Sequence, residues 1–226
     1  STATGDPAVV VGVVDGGVAM EHEDLDDNIW ANPGESGGAL ETNGIDDDGN
    51  LKIDDHRGWD FSDEDNDPTD GEGHGTHVAG TIGAEGNNTE GIAGVVWDAS
   101  LMPLRACNMV GICLSSDVAD AFAYADEMGA DVVNASISGT SSSLAQQMAI
   151  AAAPETLFVV AAGNNGNNND ASPRYPCNYG GTNLVCVGAS TSLDNLASFS
   201  NYGSRSVDLA APGGGTPGTA VNSTWM

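Results

Sequence analysis

His74 and His77 lie in the stretch Gly71-Glu72-Gly73-His74-Gly75-Thr76-His77-Val78-Ala79-Gly80, a glycine-rich lead into an apolar run. Packing rarely needs imidazoles there. A histidine placed where a helix begins, just after small residues, keeps its ring at the wall of a cleft, where a general base belongs. The plainer alternative is a glycine turn with two incidental histidines. As a zinc pair the two are poor, because no further His, Cys or carboxylate stands at a matching spacing.

Something must position such a base. Ala8-Val9-Val10-Val11-Gly12-Val13-Val14 reads as a buried strand, and Asp15-Gly16-Gly17 follows where it leaves the sheet. Leu157-Phe158-Val159-Val160-Ala161-Ala162 reads as another, ending in Gly163-Asn164-Asn165-Gly166. Singly, Asp15 and Asn164 are ordinary turn residues. Taken in the order Asp, His, Asn, the three segments resemble the subtilisin-like serine proteases, and the glycine-flanked His74 motif carries most of that likeness.

The resemblance implies that Asp15 is the catalytic aspartate, His74 the general base and Asn164 the side chain of the oxyanion hole. It also matches Asn134-Ala135-Ser136-Ile137-Ser138-Gly139 to the strand lining the substrate cleft, with Ser136, Ile137 and Ser138 as substrate contacts, although Ser138 stands where the family often has glycine. Gly16 departs too, since Ser or Thr usually follows the aspartate. Arg174, just before Tyr175-Pro176, matches the segment that shapes the primary specificity pocket. There its guanidinium either meets an acidic substrate side chain or points outward to a carboxylate such as Asp170.

A larger departure concerns the nucleophile. A serine hydroxyl attacks only when an imidazole takes its proton and a buried carboxylate holds that imidazole. In the family this serine lies in a Gly-Thr-Ser-Met-Ala motif, a little beyond the segments matched here by Val207-Asp208-Leu209-Ala210-Ala211-Pro212-Gly213 and Asn222-Ser223-Thr224. Ser223 lacks the Gly-Thr lead, and no serine in the sequence matches the motif. The expectation is a peptidase domain over residues 1–226, incomplete at its C-terminus and inactive alone.

Between the first strand and His74 runs a long acidic insertion, residues 21–72, rich in turn residues. Within it Asp46-Asp47-Asp48-Gly49-Asn50-Leu51-Lys52-Ile53-Asp54-Asp55 sets oxygen ligands at alternate positions, with the Lys52 carbonyl available as well. This pattern lets one loop wrap a hard cation. It resembles the start of an EF-hand loop, but Leu51 replaces the glycine and Arg57 the closing glutamate, so no helix-loop-helix follows. Calcium is the expected ion, and Asp46, Asp48, Asn50, Lys52, Asp54 and Asp55 are its candidate ligands. A solvated acidic turn is the alternative. Asp60, Asp65, Asp67 and Thr69 are similar to a calcium loop of some subtilisin relatives. A third candidate, joining Asp24 to Asn88 and carbonyls of residues 86–92, rests on the same resemblance.

Five Lys plus Arg against 33 Asp plus Glu give a formal charge of -28. Phosphate binding needs clustered cations, so nucleic acid is excluded as a partner. Charge not used on metals suits an acidic surface in salty surroundings. No run of about 18 apolar residues would span a membrane, and no basic, apolar leader opens the sequence, so a signal peptide or pro-segment is expected to have been removed or omitted. Cys107 with Cys113 and Cys177 with Cys186 form two local pairs, expected as disulfides in an extracellular protein, with free buried thiols as the alternative.

Beyond His74, strands near residues 101–104, 132–136 and 157–162 alternate with helices. One helix is capped by Ser116 or Asp117, buries Val118, Ala121, Phe122 and Ala125, and ends at Gly129. Another runs over residues 143–153. Such units predict an α/β fold, a doubly wound, mostly parallel sheet with helices on both faces, subtilisin-like, whose sites lie at the carboxyl ends of strands. The reading is of a secreted, calcium-stabilised serine endopeptidase acting on protein or peptide substrates, its serine supplied by the C-terminal remainder of the same protein. The rivals are a non-catalytic secreted calcium-binding module of the same fold and a zinc hydrolase using His74 and His77.

Overall fold

The run of valines after Pro7 is β-branched and apolar, which suits a strand buried on both faces. In the computed structural model, which describes residues 4–214 and 220–226, it becomes the middle of β1 (Gly5–Asp15). Six further strands join it: β2 (Trp59–Asp60), β3 (Asp98–Arg105), β4 (Val132–Ala135), β5 (Leu157–Ala161), β6 (Leu184–Ser190) and β7 (Leu209–Pro212). Their order in the sheet is β2-β3-β1-β4-β5-β6-β7, and every pairing is parallel. Parallel neighbours need crossovers. Three helices accompany them: α1 (His74–Gly83), α2 (Ser115–Glu127) and α3 (Leu144–Ala152).

Alternation along β1 divides the core between two faces. Val11 and Val13 pack with Val18, Leu25, Leu101 and Ala79 of α1. Val14 belongs to the larger cluster on the other face, with Met102, Leu104, Val133 and the apolar stripe of α2, namely Val118, Ala121, Phe122 and Ala125. Phe122 meets Phe158 of β5 edge to face at 5.2 Å. The expected doubly wound α/β sheet is therefore present, and Asp15 ends β1 at its carboxyl edge.

Helix ends differ in detail from the sequence expectation. Leu114, not Ser116 or Asp117, precedes α2, and no side chain caps it. Ser116 and Asp117 already lie inside the first turn, where Ser116 Oγ donates to Asp117 Oδ1 at 2.7 Å instead of either side chain capping a backbone N–H. Gly129 does follow the end of α2 with φ +80°. Ser143 caps α3, its Oγ accepting from the Gln146 N–H at 3.4 Å.

The acidic insertion is largely irregular, with two short 3-10 turns (Asp26–Asn28 and Leu40–Thr42) and β2. Aromatic anchors hold it down: Trp30, Trp59 and Phe61 are buried in the larger cluster, and the Trp30 N–H donates to Leu101 O at 2.7 Å.

Candidate active site

Asp15 is held at the end of β1, its carbonyl accepting from Ala106 N–H at 2.9 Å and Cys107 N–H at 3.1 Å. Its side chain is 5% exposed and that of His74 is 52% exposed. The two meet at 2.7 Å between His74 Nδ1 and Asp15 Oδ1, and the same oxygen accepts from Gly16 N–H at 2.7 Å. An acceptor at Nδ1 fixes the proton there and leaves Nε2 to take one from a substrate or a nucleophile. The hydrogen bond to Asp15 raises the His74 pKa above its usual 6.5, against the opposing effect of burial and with help from the negative charges of Asp15, Glu72 and Asp70.

His74 is the first residue of α1, preceded by Gly73 with φ +101° and no capping side chain. Asp70 does that work from further upstream. Its Oδ2 accepts from the Thr76 N–H at 2.8 Å and Thr76 Oγ1 at 2.7 Å, and its Oδ1 accepts from Glu72 and Gly73 N–H groups at 2.9 and 2.8 Å. A buried carboxylate on free N–H groups at a helix start also complements the helix dipole. Gly75 lets α1 approach the turn after β1, since a Cβ there would lie 2.0 Å from Gly17 O.

Beside the pair lies a cleft of about 500 Å³, lined by Asp15, His74 and the run Ser136-Ile137-Ser138-Gly139. The loop closed by the Cys107–Cys113 disulfide adds Val110 and Gly111 to the same lining. Ser136, Ile137 and Ser138 are thus brought together with Asp15 and His74. Asn164 is exposed in the turn after β5 and is not part of that lining. Its turn is fixed by the buried Asn201, whose Oδ1 accepts from Asn165 and Asn167 N–H groups at 2.9 and 3.0 Å. Arg174 lies next to Tyr175, whose backbone pairs in both directions with Gly139 at the end of the cleft strand. Asp170 is paired with Arg205, at 3.8 Å, and among the described residues Arg174 has no ion-pair partner.

The acidic insertion separates into three places. Asp48 and Asp55 come together with Glu35, a residue outside the sequence-predicted set, their carboxylate oxygens within 4.8 Å of one another. Asn50 joins them through its amide, while Asp46 turns to the Gly49 and Leu51 N–H groups at 2.6 and 2.9 Å and Asp54 to Gly44 N–H at 3.0 Å. Lys52 N–H donates to Asn50 Oδ1 at 2.7 Å. In the second place Asp60 is buried and gives one oxygen to Arg105 and the other to Ser62 and Asp63 N–H groups. Asp65 accepts from Asp67 N–H at 3.0 Å, and Asp67 from Thr69 Oγ1 at 2.5 Å. In the third, Asn88 Nδ2 and Ile92 N–H donate to the fully buried Asp24 at 2.7 and 2.8 Å.

Both cysteine pairs are disulfides. Cys177–Cys186 ties the segment after Pro176 to β6. Among the described residues no helix is long and apolar enough to cross a membrane. Asp70, Asn201 and Glu35 lie outside the sequence-predicted set. Only Asp70, an acidic residue just ahead of a helix start, carried a local signal.

A model of the Subtilase family, Peptidase S8, matches residues 6–225. Thermitase of Thermoactinomyces vulgaris is 41% identical over 168 residues, 74% of this chain and 59% of the relative. Halolysin of Haloferax mediterranei is 36% identical over 228 residues, 99% of this chain and 37% of the relative. A solved structure of proteases from Pseudoalteromonas arctica superimposes with TM-score 0.75 at 32% identity, covering 95% of this chain and 65% of that one. The chain thus spans roughly two fifths to three fifths of the length of these curated relatives.

Proposed function

The chain belongs to the subtilase family, and from that premise we propose that it is the larger part of the catalytic domain of a secreted, calcium-stabilised serine endopeptidase whose nucleophile lies in sequence beyond Met226. The observation that carries the reading is the 2.7 Å contact of His74 Nδ1 with the buried Asp15 at the wall of an open cleft. His74 Nε2 takes the proton of the serine hydroxyl as that oxygen attacks the scissile carbonyl. Asp15 stabilises the imidazolium, and Nε2 then returns the proton to the leaving amine. Asn164 is the oxyanion donor, a role whose loss costs roughly 100- to 1000-fold in turnover. The backbone of Ser136-Ile137-Ser138 binds the substrate chain, and Arg174 favours an acidic side chain next to the scissile bond.

Two features support placing the serine beyond residue 226. Among the described residues no hydroxyl bonds to His74. Ser223 packs against Gly80, six residues along α1 from the base. Residues 220–226 instead form a strap over α1: Thr224 Oγ1 donates to Thr76 O at 2.6 Å and the Trp225 ring lies against Gly73. Secretion is supported by two disulfides and by relatives described as extracellular, such as the halolysin-like protease Nep of Natrialba magadii. Calcium fits the oxygen-rich clusters of the insertion, where it would stabilise the native state by mass action.

The test is covalent labelling. The full-length product is expected to react with a serine-directed phosphonate and hydrolyse peptides, the His74→Ala variant to lose both, and residues 1–226 alone to do neither. Labelling that survives His74→Ala unchanged would remove the assigned base.

A further inference from the structure

Glu35 is fully buried, and its two oxygens have different fates. Oε1 accepts from the Asp47 N–H at 2.6 Å. Oε2 has no hydrogen-bond partner, yet the carboxylate faces those of Asp48 and Asp55 across the 4.8 Å cluster. Asp55 is also fully buried, fixed by Tyr124 Oη of α2 at 2.5 Å and by the amides of Asn32 and Asn50, each at 2.8 Å. Asn32 Nδ2 reaches Asp48 as well, at 2.9 Å. Close approach is enforced by Gly34, where a Cβ would lie 2.4 Å from Asp48 Cβ.

Three carboxylates therefore converge with two of them out of water. Among the described residues no Lys, Arg or His nitrogen forms an ion pair with any of the three. The chain has five basic residues, and four are paired elsewhere: Lys52 with Glu64, Arg57 with Glu21, Arg105 with Asp60 and Asp63, and Arg205 with Asp170. The fifth, Arg174, lies beside the substrate cleft. Buried like charges without a counter-charge are strongly disfavoured, and the neutral amides of Asn32 and Asn50 supply hydrogen bonds but no cation.

We propose that Glu35, Asp48 and Asp55 hold one divalent cation of the calcium class, clamping the acidic insertion to helix α2. Hard oxygen donors, carboxylates above all, are the ligand set calcium takes, with water able to enter from the exposed Asp48 side. The bound ion supplies the missing positive charge. Through Asp55 and Tyr124 it joins the insertion to the helix packed beneath β1. This inference deepens the calcium part of the reading above and is independent of the proteolytic part.

The experiment is calcium titration of the chelator-stripped full-length product and its Glu35→Gln variant, read by native mass spectrometry and calorimetry. Glu35→Gln is expected to bind one calcium fewer per chain. In chelator the variant should melt above the parent, because a buried uncompensated charge is gone, and in calcium it should gain less than the parent does. Equal stoichiometry and equal Kd in the two proteins would overturn the site while leaving calcium elsewhere intact. A parent that binds no calcium would overturn the calcium reading as a whole, whatever its peptidase activity. Should Glu35→Gln fail to fold, Asp48→Asn at the exposed edge must weaken one calcium site about tenfold or more. An unaltered titration there refutes the proposal equally.

Discussion

Gly75→Ala tests whether the contact between α1 and the turn after β1 is what holds the base to its carboxylate. A Cβ at position 75 would lie 2.0 Å from Gly17 O and 3.1 Å from Asp15 Cβ, where ordinary contact begins near 3.4 Å. Some 1.4 Å has to be recovered (3.4 − 2.0), and the obstructing atom is backbone, so no rotamer relieves it. His74 and Asp15 lie on opposite sides of that contact. Separation by that amount would lengthen the 2.7 Å Nδ1 to Oδ1 distance to at most 4.1 Å (2.7 + 1.4), a value beyond hydrogen-bond range. Overpacking of this kind costs about 1–3 kcal/mol. Alanine's better helix propensity returns at most about 1 kcal/mol. Net destabilisation of up to about 3 kcal/mol lowers Tm by roughly 2–4 °C per kcal/mol in a chain of this size. The chemistry suffers more, since a displacement near 1 Å costs about 100-fold in turnover. Thermal melting, a His74 titration followed by NMR, and kcat/KM of the full-length product measure the three effects. The His74 pKa should fall back toward 6.5 as its hydrogen bond lengthens. Gly139→Ala, whose Cβ would meet Tyr175 O no closer than 3.9 Å, should change neither the Tm nor the His74 titration. A Gly75→Ala protein with the parent's Tm and the parent's His74 titration would refute the reasoning.

Two further outcomes follow. The raised His74 pKa means that the pair stabilises the folded state below about pH 6.5 and that this contribution is lost as pH rises through the higher folded value. His74 is half exposed, so screening keeps it under about 1 kcal/mol. Asp15→Asn should shift His74 downward by NMR, flatten the stability difference across that window, and lower the turnover of the complete enzyme about 10⁴-fold. A His74 titration unmoved by Asp15→Asn would separate the pKa from the hydrogen bond. Ser143→Ala removes the α3 cap and should cost about 0.5–1 kcal/mol, seen as a shifted urea midpoint with unchanged slope. No shift would mean that water caps the helix equally well.

The strands that the sequence announces are those with continuous apolar runs. Val11 to Val14 are buried on both faces and look it, whereas in the run Leu157 to Ala161 Phe158 and Val160 are buried and the alternate positions are partly open. β6 ends in glycine, alanine and serine and the edge strand β7 is only Leu-Ala-Ala-Pro, so periodicity alone does not separate them from loop. β2 is two residues long and is a strand only because Leu104 and Arg105 lie beside it. Helix α2 was legible from its buried stripe, while its first residue was not. Helical geometry at Ser115 is set by the chain arriving from the Cys107–Cys113 loop, not by a capping side chain.

Site residues divide along the same physical line. Asp15 and His74 are 59 residues apart, yet each announces itself locally, one as an acid at the end of an apolar strand and the other as an imidazole inside a glycine cluster. Glu35 has no such signature. It is one carboxylate in a stretch full of them, and its importance comes from a partner 13 residues on and another 20 on, brought close by the turn at Gly34. The family resemblance likewise groups Asp60 with Asp65 and Asp67 as oxygen ligands, whereas burial decides what Asp60 can do. Fully enclosed beside the guanidinium of Arg105, its carboxylate already has a counter-charge. Glu35 does not, and that difference between two buried acids of one insertion is what singles out the 35, 48 and 55 cluster for the cation.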